Sequence, residues 1–132
     1  NLSRYETLIL ASIVQKEVKT ANDKRKAAGV FLNRLAIDMP LQSDATVNYV
    51  VREGRAQATY EDLEIDSPYN SYQKQGLPPT PITNPGQQAI KATVDYANHE
   101  YYFFLTTLEE NPQTIFSETY QEHVQARNQY LD

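Results

Sequence analysis

The sequence predicts a helix-rich α+β single domain with one small, late β-hairpin and a long, ordered loop rich in proline and tyrosine. Three observations predict it. Apolar residues recur at three- and four-residue spacing behind helix-start signals, one aromatic and β-branched run lies just past residue 100, and five of the seven prolines fall within residues 67–86. At 132 residues the chain is long enough for one compact core and too short for two ordinary ones.

Ser3 with Glu6 forms a capping box ahead of residues 4–18, which carry Leu8, Ile9, Leu10, Ile13 and Val14 with no glycine or proline. A second helix is expected over 23–35, led by Thr20 or Asn22, with Ala27, Val30, Phe31 and Leu35 at helical intervals. Gly29 costs that helix up to about 1 kcal/mol against alanine, so its use is close packing against a neighbour, helix one being the expected one. Met39 and Pro40 close this unit. Asp44 is expected to cap a third helix through Ala45, Val47, Val50 and Val51, ending near Gly54. Thr59 and Asp62 make another capping pair, for a short turn toward Leu63 and Ile65 that stops before Pro68.

Between residues 67 and 86 Lys74 is the only charged side chain, and Tyr69, Asn70, Ser71 and Tyr72 crowd together. Prolines lower the unfolded entropy of such a stretch and tyrosines give it stiff contact surface, so an ordered binding wall is expected in place of a linker. Asn84 as cap, Pro85 at the first helical position and Gln87 at the third then start a helix running toward Tyr96. Residues 101–107 read as a buried strand, 109–112 as its turn and 114–116 as its partner. Thr119 with Glu122 opens a last helix to about Leu131.

Seventeen acidic against twelve basic side chains give a net charge of -5, which repels phosphate backbones and anionic membrane surfaces, so nucleic acid is not an expected partner. The chain has no cysteine and only two histidines. The absence of cysteine excludes disulfides, thiolate chemistry and cysteine-ligated zinc, two isolated histidines argue against a histidine-based metal cluster, and no metal or organic cofactor is expected. No window approaches the roughly 20 apolar residues of a spanning helix. A chain that begins at Asn1 is expected to be a fragment or processed form of a longer protein.

On a helical wheel Leu10, Ile13 and Val14 share one arc with Glu17 in their midst, while Arg4, Ser12, Gln15 and Lys16 fall on the opposite side. Two readings of Glu17 stay open. It is a last-turn residue emerging past the core edge, or pairing with Arg34; or it is a carboxyl group on a cleft wall whose apolar flank disfavours ionisation and equips it as a general acid. Glycosidic hydrolysis usually needs a second carboxyl group, and Asp44 is the candidate, against its reading as a helix cap. Gln42, Ser43 and Thr46 either hydrogen-bond a polyhydroxylated ligand or satisfy a turn. Tyr69, Asn70 and Tyr72 either cover and bind sugar rings or stabilise irregular backbone. His99 is read as capping the helix it follows, and His123, one turn after Tyr120, as structural.

The strings ILASIVQKE at 9–17, AGVFLNRL at 28–35, MPLQSDATVNY at 39–49, SPYNSY at 67–72, GLPPTPITNPG at 76–86 and FSETYQEH at 116–123 resemble, in order, the catalytic region of the YceG-like endolytic murein transglycosylases, the MltG group. The resemblance implies an N-terminal membrane anchor and a LysM-like portion absent from this chain, and a catalytic region on the extracytoplasmic side of the cytoplasmic membrane. It implies peptidoglycan glycan strands as substrate, cut internally between N-acetylmuramic acid and N-acetylglucosamine to leave 1,6-anhydromuramyl ends. Cell-wall synthesis proteins are further partners it leaves open.

By the same resemblance the family's catalytic glutamate falls on Glu17, the second acid of a Glu-Lys-Glu string whose first position is Gln15 here. Gln42, Ser43 and Asp44 then line the cleft, Tyr69, Asn70 and Tyr72 match a family string in which Asn70 is expected to touch substrate or orient Glu17, and Glu122 and His123 support the cleft from behind. The sequence departs from the family pattern at Ala45, Ser71 and Thr80, where proline, threonine and glycine are usual. It departs further at 110–115, where a glycine- and histidine-containing stretch is replaced. A true glycoside hydrolase and a non-catalytic glycan-binding or assembly module are the alternatives.

Overall fold

The computed structural model describes residues 2–51 and 59–131. Among the described residues five helices and one hairpin form a single α+β domain: α1 (Arg4–Glu17), α2 (Ala21–Ala36), α3 (Asp44–Val51), a 3-10 turn (Asp62–Glu64), α4 (Gln87–Val94), β1 (Phe103–Thr106), β2 (Thr114–Ser117) and α5 (Tyr120–Tyr130). The end of the third helix expected near Gly54 lies outside the described residues.

Helix α1 starts at the expected capping box, with Ser3 and Glu6 bonding reciprocally. Its end is set by a tertiary contact: the buried Lys24 amine donates to the carbonyls of Val18 and Lys19, at 2.9 and 2.8 Å. A cation there satisfies orphan carbonyls and opposes the helix dipole. Of the two caps weighed for α2, Thr20 takes the position. Gly29 does meet a close neighbour, but the neighbour is the Ala97–His99 segment and not helix one.

The wheel's division of α1 into apolar and polar sides holds only in part. Ser12 is fully buried, and its hydroxyl accepts from the Ile82 amide at 3.0 Å, while Gln15 Oε1 accepts from the Gly86 amide at 3.0 Å. Helix α1 is therefore wrapped by α2, α3 and α4 and by the proline-rich loop, so its second face is also a packing face. The same Gln15 bond explains why α4 begins two residues later than expected, with Gly86 in place of Asn84 as cap.

The core comprises Leu10, Ile13, Val14, Val18, Ala27, Ala28, Phe31, Leu41 and Ile82, drawn from α1, α2 and the two loops that border the site. The hairpin pairs Phe103 with Ser117, Phe104 with Phe116, Leu105 with Ile115 and Thr106 with Thr114, antiparallel. It starts later than expected because the carbonyls of Tyr101 and Tyr102 accept from the side chains of Asn33 and Arg34, at 2.9 and 2.7 Å. The strand is also less buried than expected, with Leu105 its one buried residue. Helix α5, opened by the Thr119–Glu122 capping box, covers the hairpin.

Candidate active site

Glu17 is the last residue of α1, and it enters a cleft of about 880 Å³ whose walls come from α1, α2, α3, the proline-rich loop and the hairpin. The residue is half-buried as a whole, and its carboxyl group lies deep. Burial pushes the Glu17 carboxyl above the usual carboxylate range, and the negative charge of Asp44 pushes the same way. The Ser43 hydroxyl, the Ala45 amide and the positive charge of Arg34 oppose that shift without cancelling it. An acid whose affinity for its proton is raised at the wall of a groove is suited to proton donation.

The Ser43 hydroxyl donates to Glu17 Oε1 at 2.5 Å. Ser43 immediately precedes α3, and Asp44 is that helix's first residue and not its cap, one position off the expectation. Asp44 lines the same cleft as Glu17 and accepts a short hydrogen bond from the Tyr72 hydroxyl. Burial and Asp44 together push the Tyr72 phenol well above its ordinary value, so it acts as a donor throughout the neutral range.

Gln42 is exposed at the cleft wall with a backbone φ of 54°, in the left-handed region that costs a residue with a β-carbon of order 1 kcal/mol. The surroundings hold it there: its amide donates to the Ser71 carbonyl at 3.0 Å, and Arg34 Nη1 reaches its Oε1 at 3.5 Å.

Other expected site residues stand behind the wall. Asn70 is 1% exposed and donates to the carbonyls of Leu63 and Ile65, at 3.0 and 2.8 Å, while its Oδ1 accepts from the Tyr72 amide. These bonds hold the loop around Tyr72, and none of them goes to Glu17. Thr46 is fully buried against Ser43 and Ser71, and Tyr69 bonds Thr80 at 2.7 Å and packs on Tyr49. Glu122, the third residue of α5, accepts from the amides of Glu118 and of the cap Thr119, at 2.9 and 3.3 Å. His123 stacks on Phe103, with ring centroids 5.1 Å apart, and Phe103 in turn lies under the guanidinium of Arg34, which lines the cleft. His99, read as a cap for the helix before it, instead bonds the Lys26 carbonyl of α2 through Nε2 at 2.8 Å.

Two residues carry more of the site than the sequence reading allowed. Arg34 is buried and lines the cleft, donating to the carbonyls of Tyr102, Pro40 and Leu41. It acts on Glu17 through space and not as the ion-pair partner weighed earlier. Burial pulls it down to about 10, and it stays cationic at neutral pH. The signal was present: Arg34 lies three residues after Phe31 and seven after Ala27, on an apolar face, the same anomaly that singled out Glu17. Ser71, by contrast, carried no signal beyond its place in SPYNSY.

Fold and site together define a small α+β domain with a groove built around one buried glutamate carboxyl group, of raised proton affinity, at a helix end. The YceG-like family model matches residues 1–129, and the chain belongs to that family. A protein of Bacillus subtilis (strain 168) named endolytic murein transglycosylase is 38% identical over 130 residues, which cover 98% of this chain and 36% of that protein. One of the same name from Streptococcus pneumoniae (strain ATCC BAA-255 / R6) is 37% identical over 117 residues, covering 83% of this chain and 21% of its own length. A crystal structure of a YceG-like protein from Listeria monocytogenes superimposes with a TM-score of 0.84 at 41% identity, over 94% of this chain and 39% of that one. The chain thus spans roughly a fifth to two fifths of the length of these relatives.

Proposed function

We propose that this domain is the catalytic portion of an endolytic murein transglycosylase that cuts peptidoglycan glycan strands at the bond between N-acetylmuramic acid and N-acetylglucosamine. The observation that carries the reading is the raised affinity of Glu17 for its proton inside a groove of sugar-chain size, on a chain 38% identical to a protein of that name. Glu17 donates its proton to the glycosidic oxygen as the bond to the anomeric carbon breaks. The resulting carboxylate takes the proton of the muramyl 6-hydroxyl, whose oxygen bonds the anomeric carbon and closes the 1,6-anhydro ring. One carboxyl group serves both steps, and the nucleophile is the substrate's own hydroxyl, held by the cleft. Arg34 and Tyr72 keep the electrostatics of the groove fixed, Gln42 offers an exposed amide to the glycan, and Asp44 places negative charge where positive charge develops on the sugar ring.

The natural place for such a domain is the extracytoplasmic face of the cytoplasmic membrane, within a longer anchored protein. Among the described residues no helix is long and apolar enough to cross a membrane.

A second reading has one observation in its favour: Asp44 shares the cleft with Glu17, as a hydrolase's second carboxylate does. Incubating purified glycan strands with the protein and with its Glu17→Gln variant, and resolving products by mass, separates the readings. Anhydro ends that disappear in the variant support transglycosylation. Reducing ends, lost on Asp44→Asn as well, establish hydrolysis, and binding without cleavage identifies a glycan-binding module.

A further inference from the structure

We propose that Ser71, a residue with no substrate contact, positions Glu17 for proton transfer by fixing the peptide unit that carries Ser43. The proposal rests on the reading of Glu17 as proton donor. Three short links form a closed ring. The Ser43 amide donates to Ser71 Oγ at 2.8 Å, Ser71 Oγ lies 2.8 Å from Thr46 Oγ1, and Thr46 Oγ1 donates to the Ser43 carbonyl at 3.0 Å. Ser71 Oγ also lies 3.2 Å from the Ser43 carbonyl, so either Ser71 donates to Thr46 and Thr46 to that carbonyl, or Thr46 donates to Ser71 and Ser71 to it; in both arrangements the Ser43 amide and carbonyl are held. Ser43, Thr46 and Ser71 are 2%, 0% and 4% exposed, so water does not compete for these groups.

With both main-chain groups of Ser43 held, its hydroxyl proton goes to Glu17 Oε1. The Ala45 amide is a second donor to the same carboxyl group, so Ser43 and Ala45 together orient it in the cleft. Proton transfer then runs from the Glu17 carboxyl group to the glycosidic oxygen, with the electron pair remaining on Glu17 and Ser43 still bonded to Oε1. The ring thus fixes the donor that orients the Glu17 carboxyl group, and it does so from a residue 28 positions from Ser43 in sequence.

Losing Ser71 frees the Ser43 peptide unit and misaims its hydroxyl, which removes a bond that favours the ionised form, so Glu17 holds its proton to higher pH. The test follows the Glu17 side-chain carbon by carbon-13 NMR through a pH titration, without substrate, in wild type, Ser43→Ala, Ser71→Ala and Ser71→Thr. Ser43→Ala and Ser71→Ala are expected to move the midpoint upward, with turnover on glycan strands falling about tenfold or more from lost alignment. Ser71→Thr, which restores a hydroxyl, returns the midpoint toward wild type. Should Ser71→Ala fail to fold, Ser71→Cys keeps the volume with a much weaker donor and is expected to shift the midpoint in the same direction. A wild-type midpoint in a folded Ser71→Ala or Ser71→Cys protein overturns the proposal, as does an unmoved midpoint in Ser43→Ala. Because the titration needs no turnover, it separates from the functional reading: Glu17→Gln that still cleaves glycan defeats that reading and leaves the titration result intact.

Discussion

Gly29 faces Ala97 so closely that a β-carbon on Gly29 would stand 2.4 Å from the Ala97 carbonyl oxygen, and 2.6 Å from His99 Nε2. The oxygen belongs to the backbone, and the Ala97 amide is itself tied to the Arg25 carbonyl at 3.1 Å, so neither side yields cheaply. Gly29→Ala gains up to about 1 kcal/mol of helix propensity but loses about 1–3 kcal/mol to overpacking. A net loss in urea denaturation is expected, accompanied by weakened protection of the amides around His99 in hydrogen exchange.

Glu17 links stability to pH. Its folded-state affinity for the proton is raised, so its contribution to stability is complete below the unfolded value near 4.5 and is lost as pH rises through the folded value. Glu17→Gln, which cannot ionise and still accepts from Ser43, is expected to exceed wild type in stability at pH 7–8 by about 1 kcal/mol. The advantage should shrink as pH falls below 4.5. Denaturant midpoints at pH 4, 6 and 8 check both the sign and the trend.

Arg34 holds three carbonyls from two separate segments and lies 5.1 Å from the centroid of Phe103. Arg34→Ala strands those acceptors and opens a void, for an expected loss of about 3–5 kcal/mol. Arg34→Lys keeps the charge but loses the planar fork, and about half that loss is expected. Thermal melting of the pair separates shape from charge.

His123 is pushed below its ordinary value by burial first and then by the positive charges of Arg127 and Arg34, and its Nδ1 is buried without a partner. A depressed value means that its contribution to stability is present above the unfolded value of 6.5 and is lost as pH falls through the folded one. His123→Phe preserves the stack on Phe103 and removes the titration. From pH 8 to pH 5 the melting temperature of the variant should fall less than that of wild type.

Local signals in the sequence were read well because their physics is local. The pairs Ser3 with Glu6, Thr119 with Glu122, and Thr59 with Asp62 all cap where expected, each satisfying amides within four residues. The anomaly of a carboxylate on an apolar face led to Glu17 for the same reason. The failures share a cause too. The start of α4, the burial of Ser12 and the role of Ser71 depend on bonds to residues 25 to 71 positions away, which no periodicity encodes. Asn70 shows the converse, since its residue type suits sugar binding equally well, and only three specific partners reveal that its amide braces the loop.

The place of Glu17 at the very end of a 14-residue helix has one more consequence. The aligned peptide dipoles of α1 present their negative pole at that end, so a charge on this side chain would sit beside like polarity supplied by the main chain itself. Acidity is thereby weakened by the architecture as well as by neighbours, and substituting any single neighbour leaves that contribution in place. Adding a turn to α1 beyond residue 17 would remove it while leaving the side chain untouched.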